Sequence, residues 1–175
     1  MRSFLKGKKG LSTVITTLII LVVSVLLATV VTYYAINMTT TRVQEEHLRI
    51  SKAHIWASSS TQQAAFVIVN IGGRDALIDK IQVRGQDMNW SDVWYARISS
   101  APGEPIIIGN LTGSGLDNAG GSTAHPLDLQ SGTYMVVYID SPGTISVEDV
   151  GVTTSITIFS ASAQYKVEVN VESAD

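Results

Sequence analysis

The sequence predicts an α+β protein: a long N-terminal hydrophobic α-helix followed by an antiparallel, immunoglobulin-like β-sandwich. Three observations carry that reading. Residues 11–41 contain no charged side chain, which makes this stretch compatible with lipid or with a dry protein bundle. From residue 58 onward the apolar residues recur at a spacing of two, the period of half-buried strands. Turn-forming clusters rich in Gly, Pro, Asn and Asp separate those runs. A chain of 175 residues has room for one modest globular domain and one long accessory element.

The first ten residues hold Arg2, Lys6, Lys8 and Lys9 and no acid. They take four of the twelve basic residues, leaving eight against fifteen acids, so the rest of the chain is net −7. A net-acidic domain lacks the electrostatic footprint of a nucleic-acid binder, and nucleic acid is set aside as a partner. There is no cysteine. Disulfides, cysteine-ligated metals and thiol nucleophiles are therefore excluded.

The apolar stretch after the basic start is too long for an ordinary secretory signal, and no small-residue cleavage site follows it. It is long enough to cross a bilayer, which takes about 20 apolar residues, and its basic flank would stay cytoplasmic. The residues Lys8, Lys9, Gly10, Leu11 and Ser12, with the apolar run Val14–Met38 behind them, resemble the start of the archaeal type IV pilins and their relatives the archaellins. The resemblance covers roughly residues 6–40.

It implies that a membrane-embedded prepilin peptidase cuts between Gly10 and Leu11, so that residues 1–10 form a cleaved leader and Lys8, Lys9, Gly10 and Leu11 are the processing site. Gly10 is expected to break the helix there and expose the peptide bond. Bacterial pilins usually carry Glu at the fifth mature position, where this chain has Ile15; that departure points to the archaeal branch. The resemblance further implies an adhesion-type pilus subunit. It is inserted in the membrane first, then drawn by an assembly ATPase and a membrane platform protein into a helical homopolymer at the cell surface. The alternatives are an archaellin of a rotating filament and a membrane-anchored minor pilin-like binding protein.

The helix itself is expected over residues 11–57. Its first part is apolar nearly all round and must be buried in lipid or in protein. Thr13, Thr17 and Ser24 fall near one another on the helical wheel, and such hydroxyls can bond back to a backbone carbonyl. Arg42–Glu45, Arg42–Glu46 and Glu45–Arg49 are opposite charges at helical spacing. With the heptad series Val43, Ile50, Ala57 they suggest one rod of about 70 Å at 1.5 Å per residue.

The head, residues 58–175, is expected to contain strands at 64–70, 78–83, 93–98, 134–139, 152–159 and 165–171, joined by turns at 70–73, 84–87, 101–103 and 141–143. The Gly-rich stretch 109–121 lacks the Gly-Lys-Ser/Thr ending of a phosphate-binding loop and reads as a surface loop. Trp90, Trp94 and Tyr95 suggest an aromatic cluster in the core or at a subunit contact.

No catalytic constellation, cofactor motif or metal-ligand spacing stands out, and an enzyme is not expected. His47 and His54 lie seven apart on the expected helix, two turns from each other, and His125 precedes a proline in a loop. Three Asn-x-Ser/Thr sequons make Asn37, Asn89 and Asn110 candidate N-glycosylation sites in an exported chain.

Overall fold

The computed structural model describes residues 4–43, 45–102, 115–121 and 126–174. They divide into an N-terminal helical unit ending at Val43 and a head that begins at residue 44.

Helix α1 runs without interruption from Phe4 to Val43, 40 residues, or about 60 Å at 1.5 Å per residue. Val, Ile and Thr are only fair helix formers in water. With no competing polar groups, however, a helix is the way for an apolar segment to satisfy its own backbone. The hydroxyls follow the same rule. Those of Thr16, Thr17, Ser24, Thr29, Thr32, Thr39, Thr40 and Thr41 each donate to a carbonyl three or four residues back, at 2.7–2.9 Å.

Two expectations for this region are corrected. The helix passes through Gly10 instead of breaking there; one glycine costs only about 1 kcal/mol relative to alanine, too little to interrupt a long helical run. Nor does the helix reach residue 57. It ends at Val43, Glu45–His47 have no regular structure, and Leu48–Ala57 form strand β1. The helix reading rested on charge pairs worth only about 0.2–0.5 kcal/mol each, which pairing on both sides within a sheet and burial of the strand readily outcompete.

The strand was hidden by a bulge. Leu48, Ile50, Ala53, Ile55 and Ala57 all pack into the main core, so the inward parity changes between residues 50 and 53. There the pairing register slips between Ser51 and His54, and Lys52 takes a left-handed φ of 49°. An extra residue in one strand does this, and it destroys the strict alternation by which a strand is recognised.

After β1 come β2 (Gln62–Asn70), β3 (Ala76–Val83), β4 (Gln86–Asp87), β5 (Val93–Ile98), β6 (Asp117–Asn118), β7 (Leu127–Leu129), β8 (Tyr134–Asp140), β9 (Thr153–Ser160) and β10 (Gln164–Ser173). The six expected strands are all present within two residues. The chain of pairing is β4-β3-β9-β10-β1-β2-β8-β5-β6, with β7 also on β3. Every pair is antiparallel except β1 with β10, where Ile55–Ala57 run parallel to Val171–Ser173.

Strand β10 lets the sheet curl over. Its first seven residues pair with β9, and its last three pair with β1. The result is two layers over one core. Phe66, Ile68, Val137, Ile139, Val93 and Tyr95 enter it from the β2–β8–β5 layer, and Ile78, Ile81, Val83, Ile156 and Ile158 from the β3–β9 layer. Phe66 lies opposite Val137, which lies opposite Tyr95, and Ile81 lies opposite Ile158. A second, smaller cluster forms on the other face of the first layer, from Trp56, Ala65, Val67 and Tyr138 with Trp94 and Tyr134 against them.

Candidate functional site

The feature with the plainest chemical meaning is the surface of α1. Gly10–Thr41, 32 residues, is long and apolar enough to cross a membrane, and its residues are exposed. Leu11 is 66% exposed and Leu26 61%. At 1.5 Å per residue this segment is about 48 Å long, against about 30 Å for the hydrocarbon core of a bilayer. The eight hydroxyls that donate to the helix's own carbonyls remove much of the polar penalty for such a surface entering lipid or a protein bundle.

Of the processing-site residues, Lys8, Lys9, Gly10 and Leu11 all lie within the continuous helix. Nothing stands within 4 Å of the place where a Cβ on Gly10 would be, so that turn of helix is sterically open on the glycine's side. Asn37 is also helical and exposed. Asn89 is exposed and extended, with φ −70° and ψ 137°, just before the 3-10 turn Trp90–Asp92, and its side chain makes no capping hydrogen bond. Asn110 lies outside the described residues, as does His125.

The expected aromatic cluster is dispersed. Tyr95 points into the main core, Trp94 packs on the opposite face of the same layer, and Trp90 lies at the margin of the main core. Successive strand residues face opposite sides, so Trp94 and Tyr95 cannot share a surface. The two histidines are likewise not on a helix. His54 stacks on Trp56 with ring centroids 5.4 Å apart, and its Nδ1 lies 3.1 Å from Glu172 Oε1. His47 meets the Tyr165 ring edge-on. Among the described residues no group of three His, Asp or Glu side chains is placed to hold a metal ion.

Sequence reasoning missed the neck, Glu45–His47, through which the chain enters the head. The His47 carbonyl accepts hydrogen bonds from the Ile71 and Gly72 N–H groups, at 2.9 and 3.2 Å. The Glu46 carbonyl accepts from the Tyr165 hydroxyl at 3.2 Å, and Glu46 Oε2 accepts from Ser162 Oγ at 2.6 Å. Burial raises the Tyr165 pKa above the usual phenol value, with Glu46 and Glu45 adding to it; the hydroxyl therefore stays a donor at all ordinary pH.

Gly72 makes the approach possible. A Cβ there would lie 2.5 Å from both the Glu45 carbonyl oxygen and the His47 nitrogen. The turn that presents Gly72 is organised by fully buried Asn70. Its Nδ2 donates to the Arg74 and Leu129 carbonyls at 2.8 and 3.0 Å, and its Oδ1 accepts from Gly72 N–H at 3.0 Å. The Asn-Ile-Gly-Gly sequence signalled a turn, but not that a distant segment would lie against it.

No family model matches the chain, and no curated protein matches it. Among solved structures, surface layer protein SbsC, domains 1-6, matches over 74% of this chain at 15% identity, with a TM-score of 0.30. The match spans 13% of that protein's chain, and so distant a likeness says nothing about role.

Proposed function

We propose that the chain is the structural subunit of an extracellular filament of the type IV pilus kind, an adhesion-type pilin. It is inserted in the membrane through α1 as a precursor, cut between Gly10 and Leu11 by a prepilin peptidase, and polymerised by an assembly ATPase and a membrane platform protein. The supporting observation is the exposed apolar surface of Gly10–Thr41. A surface apolar all round must be buried in something, and this one exceeds the hydrocarbon thickness of a bilayer by over half. Lipid covers it first and sister helices cover it later, while the acidic β-domain forms the solvated outside.

The test is made on material sheared from cells. The reading expects protein that sediments as fibres, with Leu11 as its first residue by N-terminal sequencing. Full-length monomers that still begin at Met1 and remain in membranes would overturn it in favour of a permanently anchored surface protein.

A further inference from the structure

Gly10–Thr41 is long enough to span a membrane, but too long to lie wholly inside one. Fitting a rod of about 48 Å into hydrocarbon of about 30 Å needs a tilt of roughly 50°. Membrane helices tilt by about 20° on average and by about 40° at most. Part of the segment therefore stands outside the acyl chains, and the residue order along α1 says which part.

At the N-terminal end Lys8 and Lys9 adjoin the apolar run, and such cations stop at the cytoplasmic headgroups. Counted from Leu11, a helix tilted by about 20° crosses the hydrocarbon in about 21 residues, which brings it to Val31. The chain changes character there. Tyr33 and Tyr34 are 70% and 66% exposed, and tyrosine is enriched where its ring meets acyl chains and its hydroxyl meets headgroups. A headgroup layer of about 6 Å takes another four or five residues, as far as Ile36. Asn37 comes next, exposed, with an amide that is costly to place in hydrocarbon. Thr39, Thr40 and Thr41 then occupy successive positions at steps of about 100°, so their hydroxyls ring the helix. Each donates to a carbonyl four residues back, at 2.8–2.9 Å, and keeps oxygen lone pairs for water. The length counted from the lysines and the position of the tyrosine pair are independent, and they mark the same outer boundary.

We infer that in the precursor Leu11–Val31 meets acyl chains, Tyr33 and Tyr34 fix the outer headgroup level, and Asn37–Thr41 stands helical in water. The partner is a bilayer of ordinary thickness, held in one frame. This rests on the membrane-inserted precursor proposed above and refines it, since lipid covers only about two thirds of the apolar segment. Ile36 and Met38, 60% and 55% exposed, are left at or beyond the membrane surface. A second copy can reach them there before any helix leaves the bilayer.

The chain has no cysteine, so single replacements report cleanly. Leu21→Cys, Val30→Cys, Ile36→Cys and Thr40→Cys, all at exposed helical positions, are made in the full-length chain and expressed in cells without a prepilin peptidase. A membrane-impermeant maleimide is added from outside. It reacts with the thiolate, which an apolar surrounding suppresses, so Thr40→Cys should label at least about tenfold faster than Val30→Cys or Leu21→Cys. Ile36→Cys should fall between them, and detergent should abolish the difference. Adding Tyr33→Leu with Tyr34→Leu is expected to slow Ile36→Cys labelling severalfold, because the boundary then moves outward. In the unaltered precursor held in nanodiscs, hydrogen exchange should be faster at the Asn37–Thr41 amides than at Leu11–Val31. Equal blocking of Thr40→Cys and Val30→Cys overturns the frame, and so does free labelling of Val30→Cys. A boundary unmoved by the two leucines overturns the tyrosines as its marker. Release of the chain from membranes by carbonate removes the membrane-inserted precursor and the frame together. The expected labelling, with no fibres sheared from processing-competent cells, keeps the frame while the filament reading falls.

Discussion

Asn70 and Gly72 show how much can depend on two small residues. Asn70→Ala removes three hydrogen bonds from a fully buried site and leaves the Arg74 and Leu129 carbonyls short of a donor. The expected loss is about 2–4 kcal/mol in head stability, from the usual value of each bond and the cost of orphaned groups, measured by urea denaturation. Gly72→Ala acts differently. Its Cβ would meet backbone atoms of the neck at 2.5 Å, which cannot rotate away, so about 1–3 kcal/mol of overpacking is expected. Protection of the Ile71 and Gly72 amides against hydrogen exchange should fall while that of the β2–β8 pair persists.

Asp149 supplies a pH signature. Hydrogen bonds from Ser146 and Arg84 hold its carboxyl below the ordinary carboxylate pKa. A depressed folded-state value means that its stabilisation is fully present above the unfolded value, near 3.9, and fades as pH falls toward the folded one. Asp149→Asn should flatten the acid limb of the stability profile below about pH 4 and leave the neutral region's slope unchanged. Asn89 offers a readout of export: with its extended backbone and exposed side chain, it is the described sequon suited to a glycan. Asn89→Gln should remove one glycan mass from exported protein, whereas Asn37→Gln should not.

For the elements, legibility followed the strength of the periodic signal. Strands β2, β3, β5, β8, β9 and β10 were readable because turn residues bracket β-branched runs, as in Val93–Ile98. Helix α1 was readable because Leu11–Thr41 lacks charge altogether. Strand β1 was not, since its bulge shifts the inward face from even to odd positions and leaves Val43, Ile50 and Ala57 mimicking a heptad. The short strands β4 and β6 have two residues each, too few to show any period. The neck was invisible for another reason: its partners Tyr165 and Ser162 are more than a hundred residues away. At this scale the sharpest prediction concerns α1. Leu26→Lys places a charge mid-helix at a cost of about 2.5–3.5 kcal/mol, less than the many Leu, Ile and Val residues around it gain on insertion; the precursor should still insert, filament yield should fall about tenfold or more, and the β-domain should keep its native circular dichroism.

In the whole molecule, the chain divides into a helical unit and a head. The head has its own core from Leu48 to Val171, so native-state trypsin treatment of detergent-held precursor should cut after Arg42 and release a folded fragment. Intact mass and a cooperative thermal transition would show it. Strand β1, the first segment of the head, is an interior strand with β10 on one side and β2 on the other. A load drawn along the chain from α1 would therefore enter the middle of the fabric, not its hem. Pulled lengthwise, β1 would strain its rungs to β2 together instead of peeling them one after another. In the filament proposed above, a bead strung in this way would hold while its thread is tugged at both ends.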